Sequence, residues 1–143
     1  MAKMSEAEIA QFLVETRVGT LAYKGPRGAP RAVPIWFDWD GIVIRMFTFE
    51  TAPKYKYLQK DPQASLVVAA HITAQERERW VAFDGEVHIS EKGGIELVEK
   101  ILPRYWTEMD DRRRAILQSF RDNASLIRLL ELTPSAVRSY LEL

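Results

Sequence analysis

A succession of short segments rich in β-branched and aromatic residues, divided by turn-forming residues, limits most strongly what this chain can fold into. The first three segments cover 18–23, 32–37 and 42–49, and the gaps hold Gly25-Pro26-Arg27-Gly28 and Asp38-Trp39-Asp40-Gly41. Parallel neighbours would need a crossover of about a dozen residues or more. Because both gaps are shorter than that, the pattern predicts an antiparallel meander of three strands.

Four later segments are predicted to be strands as well, at 65–70, 79–89, 126–132 and 136–143. Thr133-Pro134 divides the last two, which therefore form a predicted closing hairpin. Many antiparallel strands in a small chain leave exposed edges unless the sheet closes. The pattern thus favours a mainly β fold, a β-barrel with α-helices packed at its ends or side, and leaves an open α+β sandwich as the alternative.

Four helices are predicted from apolar residues at helical spacing. They cover 5–16, 53–58, 95–102 and 107–120. Ser5 with Glu8 forms a capping-box pattern at the first start, and Thr107 with Asp110 forms another at the fourth. Pro103 is expected to end the third helix, since proline interrupts the hydrogen-bond ladder.

The charge balance and the absence of cysteine exclude several classes of protein. The 143 residues carry 20 Lys and Arg against 20 Asp and Glu, so no overall charge favours nucleic acid or an acidic membrane. Without cysteine there is no disulfide, thiolate catalysis or iron–sulfur cluster, and cytoplasm is the expected compartment. No stretch approaches the ~20 apolar residues that span a bilayer. We expect one domain, 1–143, with neither nucleic-acid nor membrane partners.

The basic residues are concentrated in one part of the chain. Residues 17–60 contain eight Lys and Arg but three Asp and Glu, a charge of +5. Arg31 begins a predicted strand, Thr48 ends the next, and Lys54 and Lys56 lie in or beside the first turn of the short helix. Unpaired N–H groups at a helix start, together with two or three cations, make a competent phosphate site. On charge alone, the alternative is a set of solvated surface cations.

Six stretches agree in order and spacing with one known family. They are Arg17-Val18-Gly19-Thr20-Leu21-Ala22; Pro30-Arg31-Ala32-Val33-Pro34-Ile35-Trp36-Phe37; Phe47-Thr48; Lys54 with Leu58 and Asp61-Pro62; Trp80-Val81-Ala82-Phe83-Asp84-Gly85-Glu86-Val87; and 127–137 around a proline. Together they resemble the pyridoxamine 5'-phosphate oxidase-like family of flavin-binding split β-barrels. The resemblance runs from about residue 8 to residue 137, nearly the whole chain.

This resemblance implies a Greek-key split β-barrel and a homodimer that holds FMN, or a deazaflavin coenzyme, in a cleft between the subunits. The positions that match the family's cofactor residues, with Lys56 added from the charge argument, are Arg31, Val33, Pro34, Ile35, Thr48, Lys54, Lys56 and Trp80. By resemblance, Arg31 and Lys54 hold the phosphate and Thr48 lies near it. The backbone of 33–35 lies along the flavin ring, and Trp80 replaces a ring-contacting glutamine.

The implied activity is that of an oxidoreductase. It would transfer a hydride between a reduced nicotinamide, or a small organic substrate, and the bound flavin or deazaflavin. The cofactor supplies the difficult chemistry, so no catalytic side chain is assigned. Trp36 also falls in a stretch that matches the cofactor cleft, and it is a second candidate for an aromatic wall.

Departures from the family pattern motivate a second hypothesis. A serine that is common two residues before the phosphate lysine is Ala52 here, and a common Asn or Gln is Tyr57. These departures motivate the alternative of a non-catalytic module that binds a flavin or a tetrapyrrole. The oxidase's Arg- and His-bearing substrate motif has no counterpart, so vitamin B6 oxidation is disfavoured.

The remaining polar clusters are interpreted as structural. Asp84, Glu86 and His88 alternate on one strand face, where cross-strand pairing or solvation is favoured over metal binding, and no metal site is predicted. His71 and His88 have no serine or cysteine signature around them, so no nucleophilic triad is predicted. The run 112–114, three arginines, is expected to be a solvated helix face.

Overall fold

The computed structural model of the protein describes residues 2–143. Its strands are β1 Gly19–Lys24, β2 Pro30–Ile35, β3 Asp38–Trp39, β4 Ile44–Phe49, β5 Gln63–Ala69, β6 Arg79–Ser90 and β7 Ile127–Leu141. Its helices are α1 Glu6–Val14, α2 Pro53–Lys60, α3 Gly94–Tyr105 and α4 Asp111–Asp122. No helix among these residues has the length and apolar character needed to cross a membrane.

All seven strands belong to one antiparallel sheet in the order β2-β1-β5-β6-β7-β4-β3. The sheet curls around its apolar face into a half-barrel, with β2 at one edge and β3 beside β4 at the other. The mainly β, split-barrel fold is therefore confirmed over the open sandwich.

The predicted three-strand meander is wrong in its third member. β1 and β2 form the expected hairpin, from Gly19 opposite Ile35 to Lys24 opposite Pro30. β4 pairs instead with β7 and β3. The inward face of β4 is fully buried, and long-range apolar pairing with β7 decides its neighbour in place of the short connection.

The predicted closing hairpin is also wrong, because 127–141 is one strand of 15 residues that passes through Thr133-Pro134. A register shift beside Gly85 lets β6 follow this strand, with Gly85 opposite Pro134. β4 pairs with β7 only as far as Leu132, so beyond that residue β7 has a free edge. A proline without an N–H group is tolerated at such a position.

The helix boundaries confirm the first capping box and correct the second. The Ser5 hydroxyl accepts from the Glu8 N–H, and the Glu8 carboxylate accepts from the Ser5 N–H. The fourth helix starts later than predicted, since its N-cap is Asp110, whose carboxylate accepts from the Arg113 N–H at 2.8 Å. The third helix continues past Pro103 to Tyr105, because a proline close to a helix end removes little of the ladder.

The main core lies on the concave face of the sheet and is closed by α1 and α2. Its largest fully buried side chains are Phe12, Leu21, Ile44, Met46, Leu58, Leu66, Val68, Phe83, Leu130 and Leu132. A second, smaller cluster of Val98, Leu102 and Ile127 lies under α3. Burial of Leu58 fixes the short helix α2 against the sheet, and this position determines where its lysines point.

The turn between β3 and β4 is expected to make stability depend on acid pH. Hydrogen bonds from the Val43 N–H, the Arg45 guanidinium and the Ile42 N–H to the Asp40 carboxylate lower its pKa from 3.8 to about 2. A carboxyl group whose pKa is lower in the folded than in the unfolded state stabilises the protein at pH values above its unfolded-state pKa. This stabilisation is lost as the pH falls through the folded-state pKa. Urea unfolding should therefore show the protein more stable than Asp40→Asn at pH 6, with the difference vanishing between about pH 4 and pH 2. An equal difference in the free energy of unfolding at pH 6, pH 4 and pH 2 would contradict this assignment.

Candidate cofactor site

A cavity of about 230 Å³ lies where the sheet is open, between the end of β2, β4 and the start of α2. Its lining residues are Val18, Pro34, Ile35, Trp36, Phe47 and Lys54. Five of the six are apolar or aromatic, and Lys54 is the single charged group. The arrangement suits a ligand with a flat apolar part and an anionic part.

Lys54 is the clearest sign of an anionic ligand in this cavity. Its side chain is half-buried, and burial lowers the pKa of its ammonium group because desolvation penalises the charged form. No carboxylate of residues 2–143 lies within ion-pair distance of it. A bound anion would supply the neutralising negative charge that no carboxylate provides to this lysine. The residues present therefore fit a cofactor phosphate.

Arg31 and two further lysines surround the ring of Tyr57 on α2. The Arg31 guanidinium carbon is 5.4 Å from the ring centroid, and the Lys56 and Lys60 ammonium nitrogens are each 5.8 Å away. Tyr57 follows Lys54 by three residues, which places both on one side of the helix. Arg31 therefore lies beside the helix that carries Lys54, but it does not line the cavity. In the described residues, none of these cations forms an ion pair.

The start of α2 lacks the usual side-chain cap. Its N-cap is Ala52, which offers no oxygen to the first turn, and Pro53 follows at the first helical position. The Tyr55 N–H donates to the Ala52 carbonyl at 3.1 Å. The position where the family usually has a serine thus supplies no hydroxyl, as the sequence indicated.

Trp36 forms a rigid aromatic wall beside the cavity. Its ring stacks on Tyr105 at 4.5 Å between centroids, with 5° between the planes, and meets Trp106 edge-on at 5.4 Å. The Tyr105 hydroxyl donates to the Arg17 carbonyl at 2.7 Å and accepts from the Phe37 N–H at 3.1 Å. Burial raises the pKa of this hydroxyl, so it remains protonated as a donor.

The structure brings some predicted site residues together and separates others. Pro34 and Ile35 share the cavity with Lys54. Thr48 is buried on the inward face, where its hydroxyl makes one long contact, 3.4 Å, with the Phe49 carbonyl. Trp80 does not line the cavity, and its strand neighbours are Ala69 and Tyr140.

Two other predicted residues lie near the cavity without lining it. Val33 packs, half-buried, against the main core, and Lys56 is exposed on α2. Val18 and Phe47 line the cavity although sequence reasoning gave them no role there. Both fall in stretches that match the family, 17–22 and 47–48, and this was the signal in the sequence that could have identified them.

The polar face of β6 is occupied by internal contacts. Arg138 donates to both Asp84 carboxylate oxygens, at 2.7 and 2.9 Å, and the Ser65 hydroxyl donates at 2.5 Å. These bonds lower the pKa of Asp84, chiefly through Arg138. Within residues 2–143, no group of three or more potential acidic or histidine ligands is placed to hold a metal.

Comparison with known proteins agrees with this fold. The family model for pyridoxamine 5'-phosphate oxidase matches residues 5–140. No curated protein matches the chain in sequence. Among solved structures, a conserved hypothetical protein from Mycobacterium tuberculosis is 28% identical, with a TM-score of 0.75, and the match covers 96% of this chain and 85% of that one.

Two further solved structures share the fold at lower identity. An F420 reductase is 21% identical, with a TM-score of 0.71 and coverage of 89% of this chain and 93% of the other. The FAD and haem binding protein from Mycobacterium smegmatis is 19% identical, with a TM-score of 0.72 and coverage of 96% and 71%.

The fold and the family match together define the class of the protein. A family model that covers 5–140 accounts for nearly the whole chain, and the split half-barrel is the fold of its structural relatives. The chain belongs to the pyridoxamine 5'-phosphate oxidase family. This membership confirms the flavin-binding family that the sequence predicted.

Proposed function

We propose that the protein is a flavin-dependent oxidoreductase that transfers a hydride between a reduced nicotinamide, or a small organic substrate, and bound FMN or a deazaflavin coenzyme. The observation that carries this proposal is Lys54, half-buried in an apolar cavity without a carboxylate partner in the described chain. The F420 reductase among the structural relatives supports the deazaflavin alternative.

In this proposal Arg31 and Lys54 hold the cofactor phosphate, and exposed Lys56 adds positive charge beside them. Thr48 has its hydroxyl near the phosphate only if the side chain turns from its buried position. The backbone of 33–35 lies along the flavin ring, and Trp36 shields one side from water. The bound cofactor supplies the hydride chemistry, so these residues need only to bind, orient and exclude water.

We further propose that the cofactor lies between two copies of the chain. The cavity of about 230 Å³ is smaller than the ~300–1,000 Å³ of typical small-molecule sites, so one chain provides only part of such a site. Trp80, which lies away from the cavity, would meet the cofactor bound by the other subunit. Light scattering should give twice the 16.5 kDa chain mass, and a 16.5 kDa particle would contradict the shared cleft.

The cysteine-free composition supports a cytoplasmic location.

The proposal is tested by the visible spectrum of the purified protein. The protein should be yellow, or take up FMN or the deazaflavin on titration, and denaturation should release that cofactor for identification by mass. A colourless protein that binds neither compound would overturn the proposal.

A second candidate function is a binding module without turnover, for a flavin or a tetrapyrrole. It is supported by the uncapped α2 start at Ala52 and by the relative described as an FAD and haem binding protein. Anaerobic addition of NADH or NADPH separates the two functions. Bleaching of the bound flavin supports the oxidoreductase, whereas an unchanged spectrum with both donors supports the module.

A further inference from the structure

We propose that Arg128 is a positioning residue that fixes the start of α2, and thereby holds Lys54 in the cavity. This role rests on the proposed function only in its consequence for cofactor binding. It was not found by sequence reasoning, because Arg128 lies 74 positions after the lysine that it would position.

Arg128 ties two distant segments together from a buried position. Its side chain is 9% exposed, one terminal nitrogen donates to the Ser125 carbonyl at 2.7 Å, and the other donates to the Glu50 carboxylate at 2.6 Å. Its guanidinium carbon also lies 5.8 Å from the centroid of Tyr55 in the first turn of α2. The forked guanidinium therefore joins the connection between β4 and α2, at Glu50, to the segment before β7, at Ser125.

The connection needs such a contact because α2 has little stability of its own. The helix has eight residues, and helices shorter than ~12–15 residues are marginal in water even in favourable sequences. Ala52 supplies no cap. One backbone bond, from the Glu50 N–H to the Leu126 carbonyl at 2.9 Å, joins the connection to the chain before β7. The ion pair between Arg128 and Glu50 joins the same two segments through their side chains.

The geometry also explains why an arginine occupies this position, although one of its nitrogens is unpaired. The Nε of Arg128 is buried without a hydrogen-bond partner in the described residues, and this is costly for a charged side chain. A lysine could neutralise Glu50, but it could not reach Ser125 and Glu50 with two separate nitrogens. The fork is used to fix the connection, and that connection leads within four residues to Lys54.

The test is the pKa of the Lys54 ammonium group, measured by NMR on the cofactor-free protein with Lys54→Arg to assign the signal. We expect a value below the ordinary range in the unmodified protein, and a rise toward that range in both Arg128→Gln and Glu50→Gln. Through charge alone, Arg128→Gln would raise the pKa of Lys54, because it removes a nearby positive charge. Glu50→Gln would lower that pKa through charge alone, because it removes a negative charge. A rise in Glu50→Gln therefore reports movement of Lys54 into water.

The matched control is Glu99→Gln, which removes an exposed ion pair with Arg121 of the same 2.6 Å length. It should leave the pKa of Lys54 unchanged. Arg128→Lys, which keeps the charge without the fork, should raise the pKa partway and covers the case in which Arg128→Gln does not fold. An unchanged or lowered pKa in Glu50→Gln would overturn the proposal.

Cofactor binding provides the second measurement. Arg128→Gln should weaken FMN by about tenfold and leave riboflavin, which lacks the phosphate, unchanged. The double variant with Lys54→Ala should bind FMN no more weakly than Lys54→Ala alone, since both changes remove one interaction. Additive losses would contradict action through Lys54. A protein that binds no flavin would overturn the proposed function, while the NMR result would still decide the positioning role.

Discussion

Replacement of Lys54 by alanine is expected to weaken FMN binding by about tenfold or more, because it removes a charge-assisted contact worth ~1.5–3 kcal/mol. Lys54 lines the cavity and is half-buried without an internal carboxylate partner in residues 2–143. The loss of affinity should be confined to the contact with the phosphate. Fluorescence titration with FMN and with riboflavin measures both dissociation constants, and the riboflavin constant should stay within a factor of about two.

Lys3→Ala is the matched control for this experiment. It removes the same charge from an exposed residue that lines a different cavity, between α1 and the turn before β4. FMN binding should be unaffected by it. Equal FMN affinity in Lys54→Ala and the unmodified protein would show that the phosphate binds elsewhere.

Replacement of Gly85 by alanine is expected to destabilise the protein by about 3 kcal/mol, the upper end of the usual cost of overpacking. A Cβ atom at this position would overlap the Thr133 carbonyl oxygen and lie 3.3 Å from the Pro134 Cα, and backbone atoms cannot rotate away as a side chain can. The change acts at the register shift that carries β7 through its proline. Urea unfolding measures the loss.

Gly41→Ala provides the comparison. Gly41 has a φ of 95°, but a Cβ atom added there would have no neighbour within 4 Å, so alanine meets only the left-handed backbone penalty of about 1 kcal/mol. Gly85→Ala should therefore be clearly the less stable variant. Equal stability of the two variants would mean that the backbones of β6 and β7 do not come into close contact at Gly85.

The strands and helices were largely predictable, whereas their partners were not. Alternation and turn residues located six of the seven strands, with 127–141 divided in error into two and Asp38–Trp39 taken as a turn. Local signals could not show that β4 pairs with β7, since this choice depends on buried contacts between residues about 80 positions apart. Pro134 is a strand breaker by local rules, but a free edge and Gly85 opposite accommodate it.

The candidate site was predictable only where charge or family pattern marked a residue. Lys54, Pro34 and Ile35 were predicted and share the cavity, and Arg31 lies against the same helix. Arg128 carried no signal, because its contacts join segments that are remote in sequence. Trp80 was predicted from the family pattern alone and does not line the cavity.

The most direct test of the account is a map of amide chemical-shift changes on binding FMN minus those on binding riboflavin. The difference isolates the phosphate. We predict that the largest differences fall on Arg31, Lys54 and the first turn of α2. Differences centred instead on the apolar groove between α1 and Trp39 would contradict a phosphate site at the opening of the half-barrel.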